Sequence, residues 1–340
     1  MVGDVRDKLT ELPSESVHMV CTSPPYFGLR DYGVAGQIGL ESTPAEFVDV
    51  MVGVFREVRR VLRADGTLWL NLGDSYAGSW GAQSRGEVPG EASKLSGGQV
   101  NAAPKGTHTG SIKNTPGLKP KDLMGIPWRV AFALQADGWW LRQDIIWSKP
   151  NPMPESITDR CTKAHEYLFL LSKSERYYYD AAAVREESDW TPDNTKMPDG
   201  WDTGPGGHGS FHRDGREKGR RVRGVPPRHA AYESSDQSAL DDVGRGAGRN
   251  RRSVWTIATQ PFAEAHFATF PPALVEPCIL AGCPKGGTVL DPFGGAGTTG
   301  LVADRLGCNA ILIELNPEYA SMAEKRIRKD APMFADVVAA

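Results

Sequence analysis

A short proline-containing stretch, TSPPY at residues 22–26, follows an apolar run and contains residue types suited to amine chemistry. Neither proline can donate an N–H group to a neighbouring strand, and a residue that precedes proline is held in an extended conformation. The carbonyl groups of Ser23 and Pro24 are therefore predicted to be rigid acceptors at the carboxyl edge of a sheet, where open α/β proteins bind ligands. Ser23 adds a hydroxyl acceptor and Tyr26 an aromatic face, which suit a planar base with an exocyclic amino group. On this stretch alone, two prolines that merely close a strand remain an alternative.

A glycine-rich loop, DPFGGAG at residues 291–297, follows the predicted strand TVLD. Such a loop lets the backbone approach a ligand, and the next helix offers N–H groups to a carboxylate. Glu314 lies about twenty positions further on, where an acid can accept hydrogen bonds from ribose hydroxyls. The loop lacks the GxGxxG spacing of dinucleotide-binding proteins. Asp291 would repel a pyrophosphate but could hold an ammonium group, so the loop favours S-adenosylmethionine.

Helix and strand patterns alternate along the chain, and this alternation predicts the α/β elements that must position both motifs. Pro44 opens an amphipathic helix that continues to Leu62, and Asp65-Gly66 then turns the chain into the strand 67–72. The other predicted elements are a helix at 126–138, strands at 139–147 and 166–172, a helix at 272–281, strands at 288–291 and 310–314, and a helix capped by Asn316.

Two long segments, 77–121 and 185–250, lack any apolar period. The first is rich in Gly, Ser, Pro, Asn and Lys and is predicted to be a mobile loop inserted into the sheet. The second divides the remaining chain into residues 1–184 and 251–340. We therefore expect one α/β domain in two halves, with an inserted segment between them.

The composition of the 340-residue chain, 40% hydrophobic and 24% charged, is typical of a soluble globular protein. No apolar run is long enough to span a membrane and no secretory signal is visible, so a cytoplasmic protein without a membrane partner is expected. The five cysteines form no CxxC pair, which predicts neither a disulfide framework nor a metal site. Cys21 is expected to be a buried structural thiol. A net charge of −3 argues against a uniformly basic nucleic-acid binder but allows a local basic patch.

The order of these motifs resembles that of the permuted β class of bacterial and phage DNA amino-methyltransferases, which act on cytosine N4 or adenine N6. In that family a (D/S)PPY motif precedes an FxGxG cofactor motif, and a target-recognition segment lies between them. The stretches at 138–156, 163–180 and 266–282 also resemble family motifs. The opening, Met1 to Asp4, departs from the family because it leaves little of the strand that usually precedes the Gly-Asp pair.

The resemblance implies the Rossmann-like fold of S-adenosylmethionine-dependent methyltransferases, with a mixed sheet, circularly permuted, and an inserted target-recognition segment. Residues 1–184 would be the catalytic half, 185–250 the target-recognition insertion and 251–340 the cofactor-binding half. Ser23 and the Pro24 carbonyl would accept hydrogen bonds from the target amino group, and Tyr26 would stack on the base. The implied catalytic residues are Ser23, Pro24, Pro25 and Tyr26.

The family's cofactor roles also map onto matching residues of this chain. Asp291 and the glycines would hold the methionine portion, Glu314 the ribose and Asp4 the adenine amino group. Phe270 and Pro271 resemble the motif that closes over the cofactor. Each has a structural alternative: Asp4 as a turn residue, Phe270 as a core aromatic, Glu314 as the neighbour of a helix cap. The implied cofactor-binding residues are Asp4, Phe270, Pro271, Asp291, Phe293, Gly294, Gly295, Gly297, Thr298 and Glu314.

A basic cluster lies in the predicted target-recognition segment. Between Phe211 and Arg228 the sequence has seven Lys or Arg residues against two acids. Such a cluster suits phosphate contacts, and arginine can also recognise guanine. A solvated loop is the alternative explanation. The predicted DNA-binding residues are Arg213, Arg216, Arg220, Arg221 and Arg223.

Serine in the first motif position is more often associated in this family with cytosine N4, and aspartate with adenine N6. The chain is therefore expected to methylate cytosine N4 in double-stranded DNA after flipping the base, with adenine N6 as the alternative. Two other classes are a DNA-binding protein that has lost catalysis and a protein-glutamine methyltransferase. The latter carries its glycine loop before PPY, which is the opposite order. The sequence leaves open whether a companion restriction endonuclease is a partner and whether the protein is a monomer or a homodimer.

Overall fold

The computed structural model describes residues 1–29, 33–77, 118–187, 248–260 and 270–330. The chain divides into two compact units, one formed by Met1–Ala183 with Arg252–Ala340 and the other by Val184–Arg251. In the second unit, Glu186 and Arg249 exchange backbone hydrogen bonds of 3.0 and 2.8 Å. The two ends of this segment therefore lie side by side. Its role in target recognition stays a prediction.

The first unit contains a mixed sheet with the strand order β5-β3-β4-β2-β1-β6-β7. Strand β4 is antiparallel to β2 and β3, whereas the pairs β5–β3, β2–β1, β1–β6 and β6–β7 are parallel. This is the predicted α/β architecture. The described elements are, in chain order, α1 (Val5–Thr10), β1 (Val17–Thr22), α2 (Pro44–Val61), β2 (Leu62–Leu72), α3 (Ile126–Ala136), β3 (Trp140–Ser148), β4 (His165–Ser172), β5 (Val254–Thr256), α4 (Pro272–Gly282), β6 (Thr288–Asp291), α5 (Thr298–Arg305), β7 (Asn309–Leu312) and α6 (Pro317–Asp330).

Helix α2 illustrates how local sequence sets these elements. The Thr43 hydroxyl accepts a hydrogen bond from the Glu46 backbone N–H, and the Glu46 side chain accepts one from the Ser42 N–H. This arrangement is close to a capping box. Pro44 fits the first turn because an N–H group at that position would have no partner within the helix. The apolar face of the helix, which includes Phe47 and Met51, is buried.

The two faces of the sheet are covered by different helices, because alternate side chains of each strand point to opposite sides. Val20, Leu68 and Leu70 belong to the large core that α2 and α3 cover. Met19 and Trp69 face the other way and approach Gly282 of α4, where a Cβ atom would lie 2.7 Å from the Trp69 Nε1 atom. This packing holds the central strands β1 and β2, whose carboxyl ends carry the motif at 22–26 and the residues after Leu72.

Three elements differ from the sequence prediction. Asp65-Gly66 was predicted to be a turn before a strand, but both residues lie within β2. Val17 pairs with Leu62 and Met19 with Thr67, so the intervening residues of β2 are accommodated as an irregularity between paired positions. Helix α1 and strand β5 were not predicted, since six and three residues are too short to show a clear period.

The segment predicted as an inserted loop at 77–121 leaves and rejoins the fold at one point. The Ala77 N–H donates to the Asp122 carbonyl and the Lys121 N–H donates to the Ala77 carbonyl, both at 2.8 Å. Most of the segment lies outside the described residues. Among the residues that are described, no helix combines the length and the apolar character needed to cross a membrane.

Candidate active site

A cavity of about 960 Å³ lies at the carboxyl edge of the sheet, beyond the ends of β1, β2 and β6. It is lined by residues from both predicted motifs, although they are far apart in sequence. The predicted site residues that line it are Asp4, Ser23, Pro24, Pro25, Tyr26, Phe270, Phe293, Gly294, Gly295, Thr298 and Glu314. The structure thus brings the two motifs to one cavity, which is large enough for a nucleoside-sized ligand and a base.

Strand β1 ends at Thr22, directly before the two prolines, as their chemistry predicts. Pro24 is buried, whereas Ser23, Pro25 and Tyr26 are half-buried at the cavity wall. The Tyr26 ring lies against the backbone of Gly73, where a Cβ atom would come within 2.5 Å of the ring atom Cε2. Only glycine at position 73 therefore allows the ring to occupy this place.

Two side chains, those of Asn71 and Glu166, form hydrogen bonds with the hydroxyl groups of the TSPPY motif. The Ser23 hydroxyl donates to Asn71 Oδ1 at 3.2 Å, and Tyr26 Oη lies 3.1 Å from the same oxygen. Tyr26 Oη also donates to Glu166 Oε2 at 2.7 Å. Glu166 in turn forms a salt bridge with Lys149, and both side chains are less than one-fifth exposed. A partly buried, charge-assisted pair of this kind holds its members in one geometry.

Sequence reasoning did not assign roles to Asn71, Lys149 or Glu166. Asn71 lies within the buried run at the end of β2, and Glu166 lies two residues before the buried run of β4. A polar residue in such a run was the available signal, because a buried polar group requires a partner. The partners themselves lie on other strands, so the sequence could not identify them.

Asp291 does not line the cavity, although it was predicted to hold the methionine ammonium group. Its side chain is 1% exposed and accepts hydrogen bonds from the hydroxyls of Thr22 and Thr299, at 2.6 and 2.7 Å. The Phe293 N–H donates to it at 3.1 Å. Burial raises the pKa of Asp291 to about 6 despite these donors. Asp291 therefore supports the loop from behind, and the predicted ammonium contact is not what the structure shows.

The three predicted glycines of the loop have different roles. A Cβ atom at Gly297 would lie 2.7 Å from Ala323 Cβ, and the residue has a φ of +76°. Gly297 therefore serves close packing against α6, and it does not line the cavity. At Gly294 a Cβ atom would approach the Leu312 side chain at 3.1 Å. At Gly295 a Cβ atom would meet no atom closer than 3.9 Å, so this backbone is open to a ligand.

Glu314 lines the cavity with its carboxylate beside the loop. Its two oxygens accept hydrogen bonds from the N–H groups of Gly295 and Asn316, at 2.7 and 2.8 Å. Burial raises the pKa of Glu314, and the N–H donors oppose that rise. Each oxygen retains a further lone pair, as hydrogen bonding to a ribose diol would require.

Asp4 caps α1, with its carboxylate accepting a hydrogen bond from the Arg6 N–H. It also forms a salt bridge with the Arg6 side chain, which lowers the pKa of Asp4. The residues before it form one parallel bridge, Val2 with Glu314, in place of a longer strand. Asp4 therefore both caps α1 and lines the cavity.

The remaining predicted residues lie around the same loop. Phe270 lines the cavity, and Pro271 beside it is buried as the residue that caps α4. Thr298 begins α5, lines the cavity and accepts a hydrogen bond from Arg326 at 3.0 Å. The five predicted DNA-binding arginines, 213, 216, 220, 221 and 223, lie outside the described residues.

The cavity residues fit the chemistry of an adenosyl cofactor. Glu314 offers a carboxylate for hydroxyl groups, and the Gly295 backbone is open for close approach. The ring of Phe293 and the side chain of Ile313 add apolar surface to the same region. Adenosine binding requires an acceptor for the ribose hydroxyls, space for close approach of the backbone and apolar surface for the base. The cavity provides all three.

Comparisons with known proteins show the family of the chain. Residues 17–325 match a family model described as DNA methylase, of the N6/N4 type. The chain is 43% identical to the Type II methyltransferase M.Cfr9I of Citrobacter freundii, over 99% of this chain and 90% of that protein. It is also 43% identical to the Type II methyltransferase M.SmaI of Serratia marcescens, over 96% of this chain and 89% of that protein.

Two solved structures share the fold. One is the PvuII DNA methyltransferase, described as cytosine-N4-specific, with a TM-score of 0.56, 20% identity, and coverage of 97% of this chain and 89% of that one. The other is a putative DNA modification methylase from Thermus thermophilus in complex with S-adenosyl-L-methionine, with a TM-score of 0.55, 22% identity, and coverage of 99% and 98%. The chain therefore belongs to the DNA methylase family of the N4/N6 amino type, whose cofactor is S-adenosylmethionine.

Proposed function

We propose that this protein transfers a methyl group from S-adenosylmethionine to the exocyclic N4 of cytosine in double-stranded DNA. The observation that carries the proposal is the shared cavity, which Ser23 lines on one side and Glu314 and the glycine loop on the other. Transfer to an amine requires an acceptor site for that amine beside the methyl donor. A cavity that offers candidate residues for both parts of this requirement supports the proposal.

The catalytic problem is the weak nucleophilicity of an exocyclic amine, whose lone pair is delocalised into the ring. Positive charge develops on the nitrogen as it attacks, and fixed acceptors stabilise that charge. The Ser23 oxygen and the Pro24 carbonyl are assigned to this role, and Tyr26 is assigned to stack on the base. When bound, the cofactor supplies an electrophilic methyl group. The hydrogen bonds that hold Ser23 and Tyr26 support these assignments because correct orientation lowers the barrier.

An enzyme nucleophile is not needed for this reaction, in contrast to methylation at cytosine C5. Cys21 is the cysteine nearest to the motif along the chain, and it is 3% exposed. A hydrogen bond with the neighbouring Cys278, together with burial, raises the pKa of Cys21 well above its usual value. A buried protonated thiol is a poor nucleophile, which supports direct transfer to an amine.

The amino group of cytosine is paired inside a duplex, so the base must be flipped out of the helix to reach the cavity. Flipping costs a few kcal/mol, which stacking on Tyr26 and contacts with the acceptors would offset.

The basic cluster at 213–223 is assigned to phosphate contacts. The names of the relatives further support a Type II methyltransferase.

Cytosine N4 is proposed because the first motif residue is Ser23 and not aspartate. A hydroxyl and a carboxylate can both accept a hydrogen bond, so adenine N6 is the alternative target.

Nucleoside mass spectrometry separates the alternatives after DNA is incubated with the protein and methyl-labelled S-adenosylmethionine. Labelled N4-methylcytosine is the expected product. Labelled N6-methyladenine would support a DNA amino-methyltransferase but show that its target base is adenine. Absence of label on every DNA offered would contradict the proposal and favour a non-catalytic DNA-binding protein or a protein substrate, for which labelled protein digests provide the check.

A further inference from the structure

Ser23 has a chemical ambiguity that a carboxylate in the same position would not have. A hydroxyl group can donate or accept a hydrogen bond, whereas the target amino group needs an acceptor. If the Ser23 proton pointed into the cavity, it would face the N–H groups of the substrate and oppose them. Some group of the protein must therefore accept the hydrogen bond that the Ser23 hydroxyl donates.

Asn71 is placed to do so. It is 2% exposed, and its Nδ2 group donates to the backbone carbonyl of Tyr167 at 3.1 Å. This bond fixes the orientation of the amide, because a flipped amide would turn its oxygen towards the Tyr167 carbonyl. The Oδ1 atom consequently faces the catalytic motif, 3.2 Å from the Ser23 oxygen.

Tyr26 competes for the same amide oxygen, and Glu166 resolves the competition. Tyr26 has one hydroxyl proton, and a carboxylate is a stronger acceptor than an amide. The Glu166 oxygen lies 2.7 Å from Tyr26 Oη, closer than Asn71 Oδ1 at 3.1 Å. Lys149 holds Glu166 in place through a salt bridge. With the Tyr26 proton on the Glu166 side, Asn71 Oδ1 is left to accept from Ser23.

We propose that Asn71 is a positioning residue whose Oδ1 accepts the hydrogen bond from the Ser23 hydroxyl, so that the lone pairs of the Ser23 oxygen face the substrate as acceptors. The neighbouring Tyr26 Oη, 3.5 Å from Ser23, is a second acceptor on the same protein side. The inference rests on the proposed amino-methyltransferase function. It holds for either target base, because both N4 and N6 amino groups donate hydrogen bonds.

A double-mutant cycle between positions 23 and 71 tests this role. The single-turnover rate of methyl transfer is measured for the wild type, Ser23→Ala, Asn71→Leu and the double variant, on the DNA that the wild type methylates. Asn71→Leu is expected to lower the rate about tenfold in the wild-type background, as for a lost orienting hydrogen bond. In the Ser23→Ala background it is expected to change the rate less than about twofold, since no hydroxyl remains to be oriented.

Dissociation constants for cofactor and DNA are expected to stay within about twofold in Asn71→Leu, which separates orientation from binding. Asn309→Leu is the matched control, because its amide also donates to a backbone carbonyl, that of Gly286, at the opposite end of the sheet. It is expected to leave the transfer rate unchanged. If leucine at position 71 lowers the unfolding temperature, Asn71→Ala removes the same acceptor without added bulk and completes the cycle.

An equal rate loss in both backgrounds would overturn the role of Asn71 and assign it to structure. That outcome leaves the proposed function intact, since the wild type would still methylate the DNA. A wild-type protein that transfers no methyl group to any DNA base would instead overturn the proposed function and, with it, this inference.

Discussion

The Thr22 hydroxyl donates a 2.6 Å hydrogen bond to Asp291, and this contact joins the last residue of β1 to the last residue of β6. Thr22 is the first residue of the TSPPY motif, and Asp291 is the first residue of the glycine-rich loop. Together with the parallel pairing of β1 and β6, this buried contact links the part of the chain assigned to the target base to the part assigned to the cofactor.

This contact predicts a specific pH dependence of stability. The pKa of Asp291 is raised to about 6 in the folded protein, above its ordinary 3.8, so the folded state binds the proton more tightly. Its contribution to stability is fully present below about pH 4 and is lost as the pH rises through about 6. Between pH 7 and pH 5 the wild type should gain about 1 kcal/mol of unfolding free energy relative to Asp291→Asn.

Urea denaturation of both proteins at the two pH values measures this difference in the free energy of unfolding. Because all other titrating groups are present in both proteins, their effects cancel in the comparison. A difference that does not change with pH would show that Asp291 stays ionised across this range.

Gly297 is predicted to be intolerant of any side chain. Its φ of +76° and the 2.7 Å approach of a Cβ atom to Ala323 combine backbone strain with a clash against α6. Gly297→Ala should lower the free energy of unfolding by about 2–4 kcal/mol and weaken cofactor binding. Gly53→Ala is the control, because Gly53 lies within α2 with no atom within 4 Å of a Cβ position. The control should be stabilised by about 0.5–1 kcal/mol, and denaturation of both variants provides the check.

Gly73 and Tyr26 provide a test of the stacking role. Gly73→Ala would place a Cβ atom 2.5 Å from the Tyr26 ring and displace it. The methyl-transfer rate should fall at least about tenfold in this variant and further in Tyr26→Ala, because misplacement of a positioning group is costly. Tyr26→Phe, which keeps the ring, should be the mildest of the three. Cofactor affinity, measured by calorimetry, should remain within about twofold. Full turnover by Tyr26→Ala on duplex DNA would rule out stacking.

Cys21 is predicted to be dispensable for chemistry. Because the thiol is buried and its pKa is raised, Cys21→Ala should retain a methyl-transfer rate within about threefold of the wild type. DNA that contains 5-fluorocytosine should form no covalent complex, which denaturing gel electrophoresis would detect. A trapped complex that disappears in Cys21→Ala would indicate C5 chemistry.

The basic cluster at 213–223 stays a prediction from sequence, and its test is the salt dependence of DNA binding. Each phosphate contact contributes about 0.9 to the slope of log K against log salt. Replacing Arg220, Arg221 and Arg223 together by alanine should therefore flatten the slope by about two to three. Replacing Lys325 and Lys329, two exposed lysines near the end of α6, should leave it unchanged. An unaltered slope in the triple variant would assign the cluster to a solvated loop.

Much of the fold was predictable because the relevant signals are local. The amphipathic period of α2, Pro44 at its start and the buried runs of β2 and β4 are encoded within a few consecutive residues. The very short β5 was not predictable in this way, because it becomes a strand only by pairing with β3. The irregular pairing of Asp65-Gly66 likewise depends on the neighbouring strand β1.

For the candidate site, the sequence by itself determined which motifs are present and, through the resemblance they carry, the family and its cofactor. The tertiary structure decided which of these residues line the cavity and which groups they contact. It moved Asp291 from the expected ligand contact to a buried support, and it assigned Gly297 to packing against α6. It also brought Asn71, Glu166 and Lys149 to Ser23 and Tyr26. The physical reason is that residue types and short-range spacing are written along the chain, whereas burial and hydrogen-bond partners depend on strands that meet only after folding.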